Sequence, residues 1–222
     1  MVHDGTLRLA HQGDWREAAP NSLRAFAAAA RVPGCDGVEL DVRRSRDGQP
    51  VVIHDESLDR VQGLHARVDE LTADTLEMYG VPRLASVLAA LPRGAFLDVE
   101  LKEDLGRIAV EVLAAGRGRA LASTVISSFD PWTLRRIRGL APQWVCWLNA
   151  HDLSSDVLDR AVELGCRGIA AEWHAIDRRS LAQAKEAGLQ VAAWTVTRRS
   201  TFQRLARLGV SAVCVEGKAL EG

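Results

Sequence analysis

The chain has 222 residues, 47% of them hydrophobic, with 28 Lys and Arg against 29 Asp and Glu and a net charge of −1. A chain of this length can bury roughly 70% of its unfolded surface, so folding needs neither disulfides nor a structural metal. The balanced charge argues against a general nucleic-acid-binding or anionic-membrane surface, and an anionic ligand would have to be recognised locally.

The cysteines and the N-terminus indicate the compartment. The four cysteines show no metal-ligand spacing, and three of them lie in apolar, strand-like surroundings where Cys is a small core residue. The first five residues contain no basic and apolar signal region, and no apolar run approaches the roughly 20 residues that span a bilayer. We therefore expect a cytoplasmic protein without a membrane span.

Short β-rich runs alternate with helical stretches along the chain. The predicted strands are Leu7–His11, Val38–Val42, Ala95–Leu101, Thr124–Ser127, Trp144–Leu148, Gly168–Glu172, Val191–Val196 and Ala212–Val215. The predicted helices between them are Ser22–Ala30, Arg107–Ala115, Pro131–Arg138, Ser155–Leu164, Arg179–Ala187 and Thr201–Leu208. Eight strand–helix units favour a closed parallel TIM (β/α)8 barrel over an open doubly wound sheet. No linker divides residues 1–222, so we predict a single domain.

A β-hairpin signal follows the second strand. Asp47-Gly48 lies between two apolar alternating runs, and Gly tolerates the positive φ that the turn needs. With the turn centred between these two residues, His54 lies opposite Asp41, on the face that Glu39 shares. A register slip of one residue would turn His54 away. The return strand is predicted as an extension outside the barrel.

A long connection separates the hairpin from the third barrel strand. From His54 to Ala95 the strand character is weak, apart from a helical patch at Arg83–Leu91. We interpret this segment as a lid or an elaborated loop beside the hairpin.

Polar residues lie at the ends of the predicted barrel strands, where barrels of this type carry their working groups. Alternation places Asp98, Glu100 and Lys102 on one strand face, and inward polar side chains are costly unless they bind something. Together with Glu39 and Asp41, Glu100 would give three carboxylates, the ligand type that Ca²⁺ and Mg²⁺ prefer. Lys102 suits a phosphate oxygen. The alternative interpretation is a structural salt-bridge network at the barrel mouth.

These motifs resemble those of the glycerophosphodiester phosphodiesterase family, and the resemblance covers almost the whole chain. The matching stretches are Gly37-Val38-Glu39-Leu40-Asp41-Val42, Asp47-Gly48, Pro50-Val51-Val52-Ile53-His54-Asp55, Leu97-Asp98-Val99-Glu100-Leu101-Lys102, Val125-Ile126-Ser127-Ser128-Phe129-Asp130 and Ala193-Trp194-Thr195-Val196. The family's barrel also carries a hairpin after its second strand. The spaced matches together are far more specific than any single motif.

The resemblance implies a site and a reaction. Glu39, Asp41 and Glu100 would bind a divalent cation, Ca²⁺ or Mg²⁺, and His11 and His54 would be the acid/base pair. The implied contacts are Lys102 to the phosphate and Trp194 to the glycerol portion. Gln12 and Arg43 are predicted beside them as further substrate-binding residues. The implied reaction is metal-assisted cleavage of a small phosphodiester through a cyclic phosphate, giving glycerol 3-phosphate and an alcohol. In the first step His11 would act as base and His54 as acid.

Three positions depart from the family pattern. His11-Gln12-Gly13 stands where the family has His-Arg-Gly, so the bidentate guanidinium grip on the phosphate is lost. Pro20 occupies the glutamate position of the family's Pro-Glu-Asn-Thr, and Glu216 stands where the family usually has aspartate. Arg43 would replace part of the lost positive charge.

Two function classes follow. The first is an active metal-dependent phosphodiesterase. The second is a degenerate relative that binds a phosphorylated ligand with little or no turnover, which the changes at Gln12 and Pro20 favour. A related phospholipase of the same superfamily is a third reading, but the chain lacks a membrane-binding apolar segment. The retained histidines and carboxylates favour the enzyme. The other histidines, His3, His65, His151 and His174, are predicted on the surface or in loops.

Overall fold

The computed structural model describes residues 5–16 and 18–221, without the side chains of residues 119 and 120. Residues 1–4, which include His3 and four of the five residues used in the localisation prediction, lie outside the described residues. Within those ranges the strands are β1 (Leu7–His11), β2 (Gly37–Arg44), β3 (Pro50–Val52), β4 (Phe96–Leu101), β5 (Thr124–Ser128), β6 (Val145–Ala150), β7 (Gly168–Glu172), β8 (Gln190–Val196) and β9 (Ala212–Val215).

The α-helices of the same ranges are α1 (Leu23–Ala29), α2 (Asp59–Gln62), α3 (Ala73–Met78), α4 (Leu84–Ala90), α5 (Gly106–Arg117), α6 (Pro131–Leu140), α7 (Ser155–Glu163), α8 (Arg178–Glu186) and α9 (Arg199–Leu208). Local signals in the sequence explain where several of them begin. Ser22 caps α1 by accepting a hydrogen bond from the Ala25 N–H. Asp130 caps α6 in the same way, with Pro131 in the first turn.

The strands close into a barrel. Eight of them, all except β3, pair in parallel around a ring, and β1 closes it by pairing with both β2 and β9. The ninth strand, β3, pairs antiparallel with β2 outside the ring. The predicted TIM (β/α)8 barrel with a hairpin extension after the second strand is therefore confirmed. Each predicted barrel strand is present, with ends within two residues of the prediction.

The predicted register of the hairpin was wrong by one residue. The observed pairs are Val42 with Val52 and Arg44 with Pro50, so Ile53, and not His54, lies opposite Asp41. The reason is a longer turn than predicted. Ser45 donates its N–H to the Gln49 carbonyl, and the three residues between them form the loop.

His54 still reaches the barrel mouth, but by a different route. Strand β3 ends at Val52, so the alternation of the ladder no longer directs the side chain of His54. The chain turns there, and His54 lines the same cavity as Glu39 and Asp41. The convergence expected from the hairpin is present, although the ladder does not produce it.

The segment between β3 and β4 is a folded insertion rather than a bare loop. It contains α2, α3 and α4 and builds a separate apolar cluster with the hairpin, formed by Val51, Ile53, Leu58, Val68, Ala73, Leu76 and Val81. Helix α4 belongs to the outer helical layer, because it packs against α1 and α5 and buries Leu84, Val87 and Leu88. The insertion is held by apolar burial, which a bare loop lacks.

Two apolar layers hold the barrel together. The larger layer fills the space between the strands and the outer helices. The smaller one fills the inside of the ring and is formed by Leu7, Leu9, Val125, Trp147, Ala170, Ala192, Ala212 and Cys214. The interior is therefore closed below, and the polar side chains collect above it, at the carboxyl ends of the strands.

Candidate active site

A cavity of about 410 Å³ opens at the carboxyl end of the barrel. It is lined by His11, Glu39, Asp41, His54, Asp98, Glu100, Lys102, Ser127, Phe129, Asn149, His151, Ala170, Trp194, Thr195 and Cys214. Seven of the nine residues predicted for the site line it, and the other two, Gln12 and Arg43, lie just behind it. Its charged residues come from β1, β2, β4 and the turn after β3, whereas β5 to β8 contribute neutral side chains and His151.

Three carboxylates form an acidic cluster on one side of this cavity. One oxygen from each of Glu39, Asp41 and Glu100 lies within 4.8 Å of the others, close enough to hold one metal ion. Strand pairing explains the convergence, because Asp41 on β2 lies beside Glu100 on β4 and Glu39 shares the face of Asp41. All three are at least nine-tenths buried, at 5%, 1% and 8% exposure.

Lys102 is the cation of this cluster. Its Nζ lies 2.8 Å from Asp41 Oδ1 and 2.5 Å from Glu100 Oε1. Burial opposes the charged ammonium, but the two carboxylates outweigh it and raise the pKa of Lys102. Burial also opposes the charge of Asp41, but Lys102, together with His54 and Asn21, outweighs it and lowers the pKa of that carboxyl. A protonated Lys102 is therefore an integral part of the cluster.

Glu39 has no comparable contact with a positive charge to offset its burial. Burial, followed by the charges of Asp41 and Glu100, raises its pKa well above the usual range. Three carboxylates against one ammonium leave two negative charges when all are ionised. All the donors are hard oxygens, so the residues present fit a divalent cation in both charge and ligand type.

The residue that replaces the family arginine contacts the acidic cluster. Gln12 donates its side-chain N–H to Asp41 Oδ2 at 2.8 Å, and its backbone N–H lies 3.2 Å from Glu39 Oε2. Asn21 donates to the same Asp41 oxygen at 2.8 Å. Both residues adopt positive φ, 56° for Gln12 and 57° for Asn21. Two strained backbone positions thus aim their amides at one carboxylate oxygen, an arrangement found where a site needs a fixed ligand.

Each of the two predicted catalytic histidines has a carboxylate on Nδ1. His11 Nδ1 lies 2.6 Å from Glu216 Oε1, while its Nε2 lies 3.8 Å from Glu39 Oε2. His54 Nδ1 lies 2.7 Å from Asp55 Oδ1. An ionised carboxylate can only accept, so Nδ1 carries a proton in both rings. Their Nε2 atoms are thereby available for proton transfer.

The surroundings of His54 differ from those of His11. Arg60 donates to both oxygens of Asp55, and this bond, against the effect of burial, lowers the pKa of Asp55. Arg43 donates its Nε–H to the backbone carbonyl of His54 at 2.8 Å, which holds the turn. The His54 side chain is 46% exposed and that of His11 is 23% exposed. His54 is thus on the open side of the cavity and His11 on the closed side.

The far wall of the cavity is aromatic. Trp194 donates its indole N–H to the Ala170 carbonyl at 2.8 Å, which fixes the ring. Its ring meets those of Phe129 and His151 edge to face, with centroids 5.7 and 5.5 Å away. His151, predicted as a surface or loop residue, follows β6 and is exposed, but it also lines the cavity.

The floor of the cavity holds a further carboxyl. Asp98 is 2% exposed and accepts a hydrogen bond from Ser127 at 2.6 Å. Burial raises the pKa of Asp98 to about 7 despite that bond. Cys214 lies at the same level, and burial raises the pKa of its thiol well above 9, so it is an inert packing residue.

Sequence reasoning did not assign roles to the residues that orient the site. Glu216 was noted only as a departure from the family pattern, and Asn21, Asp55 and Asn149 received no role. For Asp55 the signal was available, because a carboxylate directly follows His54. For Glu216 and Asn149, only closure of the barrel brings the side chain to the cavity.

The acidic cluster and the two carboxylate-bound histidines lie at the carboxyl end of a (β/α)8 barrel, where barrel enzymes carry their active sites, so this cavity is the candidate active site. The family follows from comparison with known proteins. The model of the glycerophosphoryl diester phosphodiesterase family matches residues 11–217. The chain belongs to this family, which confirms the predicted resemblance and the predicted class of phosphoric diester hydrolase.

Individual relatives align with this chain over nearly its full length. The glycerophosphodiester phosphodiesterase of Caldanaerobacter subterraneus subsp. tengcongensis is 26% identical over 95% of this chain and 94% of its own length. An Oleispira antarctica phosphodiesterase, solved in complex with the product sn-glycerol-3-phosphate, has a TM-score of 0.86 and 26% identity, covering 95% of this chain and 93% of that one. The Thermotoga maritima glycerophosphodiester phosphodiesterase shares the fold, with a TM-score of 0.81 and 24% identity over 96% of this chain and 95% of that one.

In the part of the chain that the structure describes, no helix is both long enough and apolar enough to cross a membrane.

Proposed function

We propose that this protein hydrolyses glycerophosphodiesters to glycerol 3-phosphate and an alcohol, in a reaction that depends on a divalent cation and on His11 and His54. The observation that carries the proposal is the joint presence of the acidic cluster and two histidines in one cavity of about 410 Å³. Each histidine has its Nδ1 bound to a carboxylate, so each can exchange a proton through Nε2.

The cation, Ca²⁺ or Mg²⁺, would be held by Glu39, Asp41 and Glu100. When bound, it supplies Lewis-acid stabilisation of the negative charge on the phosphate. The chain prepares its ligands in two ways. Gln12 and Asn21 fix the orientation of Asp41 through its Oδ2 atom. Lys102 supplies one positive charge within the cluster and is the proposed contact to a phosphate oxygen.

The exposure of the two histidines supports an assignment of their roles. The leaving alcohol has to depart to solvent, so the acid that protonates it belongs on the open side. His54 is the more exposed histidine and takes this role, while His11, on the closed side, accepts the proton of the attacking glycerol hydroxyl. The oxygen of that hydroxyl forms a bond to phosphorus as the bond to the leaving alcohol breaks.

The second half-reaction reverses these roles. His11 now carries the proton taken from the glycerol hydroxyl, and His54 has given its proton to the alcohol. The oxygen of a water molecule then forms a bond to phosphorus while His54 accepts its proton, and the bond from phosphorus to the glycerol oxygen that attacked first breaks as His11 returns a proton to that oxygen. Both histidines end in their starting state, and glycerol 3-phosphate is released.

The remaining predicted site residues support binding. Trp194 offers a fixed apolar face to the carbon atoms of the substrate. Arg43, bound to the His54 carbonyl, adds positive charge behind the phosphate position. We propose a small phosphodiester as the ligand, with no nucleic-acid partner, a single domain over residues 1–222 and a cytoplasmic location.

One observation favours the alternative, a binder with little or no turnover. The amide of Gln12 is bound to Asp41, so it does not replace the phosphate grip of the family arginine, and Pro20 brings no carboxylate. In that case the cation site and a phosphorylated ligand would be retained without catalysis.

The deciding experiment measures release of glycerol 3-phosphate from glycerophosphocholine by protein treated with chelator and then supplied with Ca²⁺ or Mg²⁺. We expect release only with the cation, and none from the His11→Ala variant. An exposed histidine far from the cavity provides the matched control, His65→Ala, which retains activity. Ligand binding without release from several headgroups would support the binder instead.

A further inference from the structure

Among the described residues that line the cavity, Asn149 is the one with a buried side-chain nitrogen or oxygen, its Oδ1, that has no hydrogen-bond partner. The residue is 7% exposed. The other buried polar side chains that line the cavity are all paired, namely Glu39, Asp41, Asp98, Glu100 and Ser127. A buried amide without a partner costs stability, so its presence needs an explanation.

The position of Asn149 separates it from the charged side of the site. Strand β6 is four strands from β1 in either direction around the ring, so Asn149 and His11 face each other across the barrel mouth. Strands β5, β7 and β8 and the residues that follow them contribute Ser127, Phe129, Ala170 and Trp194 to this side, and His151 follows β6, with no carboxylate or ammonium among them. Because no carboxylate or ammonium lies here to pair with a charged group, we assign an uncharged part of the substrate to this side.

The chemistry of an amide indicates which uncharged group of the substrate it would bind. An amide offers an acceptor oxygen and a donor nitrogen, and a hydroxyl can serve either of them. A hydroxyl on a short carbon chain also suits the adjacent aromatic wall, because its carbon atoms pack against the fixed Trp194 ring.

The order of bond breaking assigns this hydroxyl to one half of the substrate. On the proposed function, on which this inference rests, the alcohol leaves first and the glycerol half stays bound as the cyclic phosphate. The leaving group therefore lies at the open side, near His54, and the glycerol half lies in the closed part. One glycerol hydroxyl attacks phosphorus, and one remains free at the end of the chain.

We propose that the amide of Asn149 binds this terminal hydroxyl and so determines the selectivity for glycerol diesters over diesters of diols that lack it. Sites that hydrogen-bond a substrate hydroxyl reject the analogue without it, because the buried polar group is then left unpaired. Asn149 is thus a specificity-determining residue that touches the substrate but takes no part in proton transfer.

The test compares two substrates with the same leaving group. One is glycerophosphocholine, and the other is the phosphocholine diester of propane-1,2-diol, which keeps the attacking hydroxyl and lacks the terminal one. We expect kcat/KM of the wild-type protein to be at least about tenfold higher for the glycerol diester. In Asn149→Leu this ratio should fall to about one, through loss of activity on the glycerol diester alone.

Thermal melting separates a binding role from a structural one. Removing an unpaired buried amide should raise the melting temperature of Asn149→Leu, whereas a structural residue would lower it. Asn149→Ala should lose selectivity in the same way. The matched control is Gln62→Leu, since Gln62 on α2 also has a buried, unpartnered side-chain oxygen but lies outside this cavity. Its substrate ratio should remain that of the wild type.

The outcomes are distinct. Equal cleavage of both diesters by the wild-type protein, or an unchanged ratio in Asn149→Leu, overturns this inference and leaves the proposed function standing. A lower melting temperature in both Asn149 variants identifies a structural role and also overturns it. Cleavage of neither diester with either cation overturns the proposed function, and the inference with it.

Discussion

His11 and Glu216 are 205 positions apart in the chain, yet His11 Nδ1 lies 2.6 Å from Glu216 Oε1. His11 is the last residue of β1 and Glu216 directly follows β9, and these two strands are neighbours in the closed ring. The carboxylate accepts the Nδ1 proton and leaves the lone pair of Nε2 facing the cavity. The state of the proposed base is therefore controlled by a residue from the opposite end of the chain.

We expect Glu216→Gln to lower kcat by about 10²- to 10⁴-fold with little change in KM. The glutamine amide can donate to Nδ1, which favours the tautomer with the proton on Nε2, the wrong one for a base. Steady-state kinetics on glycerophosphocholine measures this effect. Glu216→Asp, which keeps a carboxylate, should retain more activity than Glu216→Gln. Equal kcat in the wild type and Glu216→Gln would show that the contact is only structural.

Leaving groups of different acidity distinguish the two histidines. A leaving group that departs without protonation does not need the acid, so His54→Ala should lose about 10²- to 10⁴-fold on a choline diester and far less on a nitrophenyl diester. His11→Ala should lose activity on both. The comparison uses kcat/KM for the two substrates. The reverse pattern would exchange the roles of His11 and His54.

Gln12 should tune the affinity of the acidic cluster for the cation. Its amide is 2.8 Å from Asp41 Oδ2, and loss of such a supporting bond typically weakens metal binding about 10- to 100-fold. We expect this loss in Gln12→Met, measured from the shift of the melting temperature with added Ca²⁺ or Mg²⁺. At 100 times Kd the cation should stabilise the protein by about 2.7 kcal/mol.

The control for this titration is Gln183→Met, an exposed glutamine on α8 that should bind the cation as the wild type does. If Gln12→Met kept the wild-type affinity, the bond to Asp41 would have no role in preparing the ligand.

Arg43 is expected to act through its charge. Arg43→Ala should raise KM for the diester several-fold, because positive charge behind the phosphate is lost, and Arg43→Lys should raise it less. Both kcat and KM need to be measured, since the Arg43 Nε–H also holds the His54 carbonyl at 2.8 Å. A lower kcat with unchanged KM in both variants would identify Arg43 as a positioning residue for His54 instead.

Asp98 should make the stability of chelator-treated protein fall as pH rises. Its pKa is about 7 in the folded protein against 3.8 for the ordinary group, so between these values the folded state holds a proton that the unfolded state has lost. The effect is absent below 3.8 and complete above about 7, on the order of 4 kcal/mol in total.

Asp98→Asn cannot titrate at this position and should show a smaller fall in stability over this range, with the remaining fall coming from Glu39, whose pKa burial also raises. Urea unfolding of both proteins at pH 5 and pH 8 measures the difference. An equal change in the free energy of unfolding between pH 5 and pH 8 in the wild type and in Asp98→Asn would contradict the prediction.

Local patterns in the sequence predicted most of the barrel. Alternation within a strand and caps at helix ends depend on residues a few positions apart, so Leu7–His11, Gly168–Glu172 and Ala212–Val215 were predicted with the observed ends. The same alternation placed Glu39 with Asp41, and Glu100 with Lys102, on common faces. Because barrels of this type carry their working groups at the carboxyl ends of the strands, these residues were predicted to share one site.

Other features depended on contacts that no local pattern specifies. The hairpin register was set by the hydrogen bond between Ser45 and Gln49, which makes the turn one residue longer than predicted. The alternation of apolar and polar residues in the two strands does not show a difference of one residue in the turn. The insertion after β3 folds because distant apolar residues such as Val51 and Leu76 bury one another. The local sequence pattern of each short stretch in the insertion is too weak to predict that these residues pack together.

The sequence by itself determined the barrel, the carboxylates and the histidines, because each of these follows from residues within one strand or turn. Only the tertiary structure decided the partners: Lys102 between Asp41 and Glu100, Gln12 on Asp41, Glu216 on His11, and Asn149 alone on the facing wall. Closing the ring brings residues from separate strands within hydrogen-bonding distance. Which of them pair, and which one is left free for a ligand, depends on that closure.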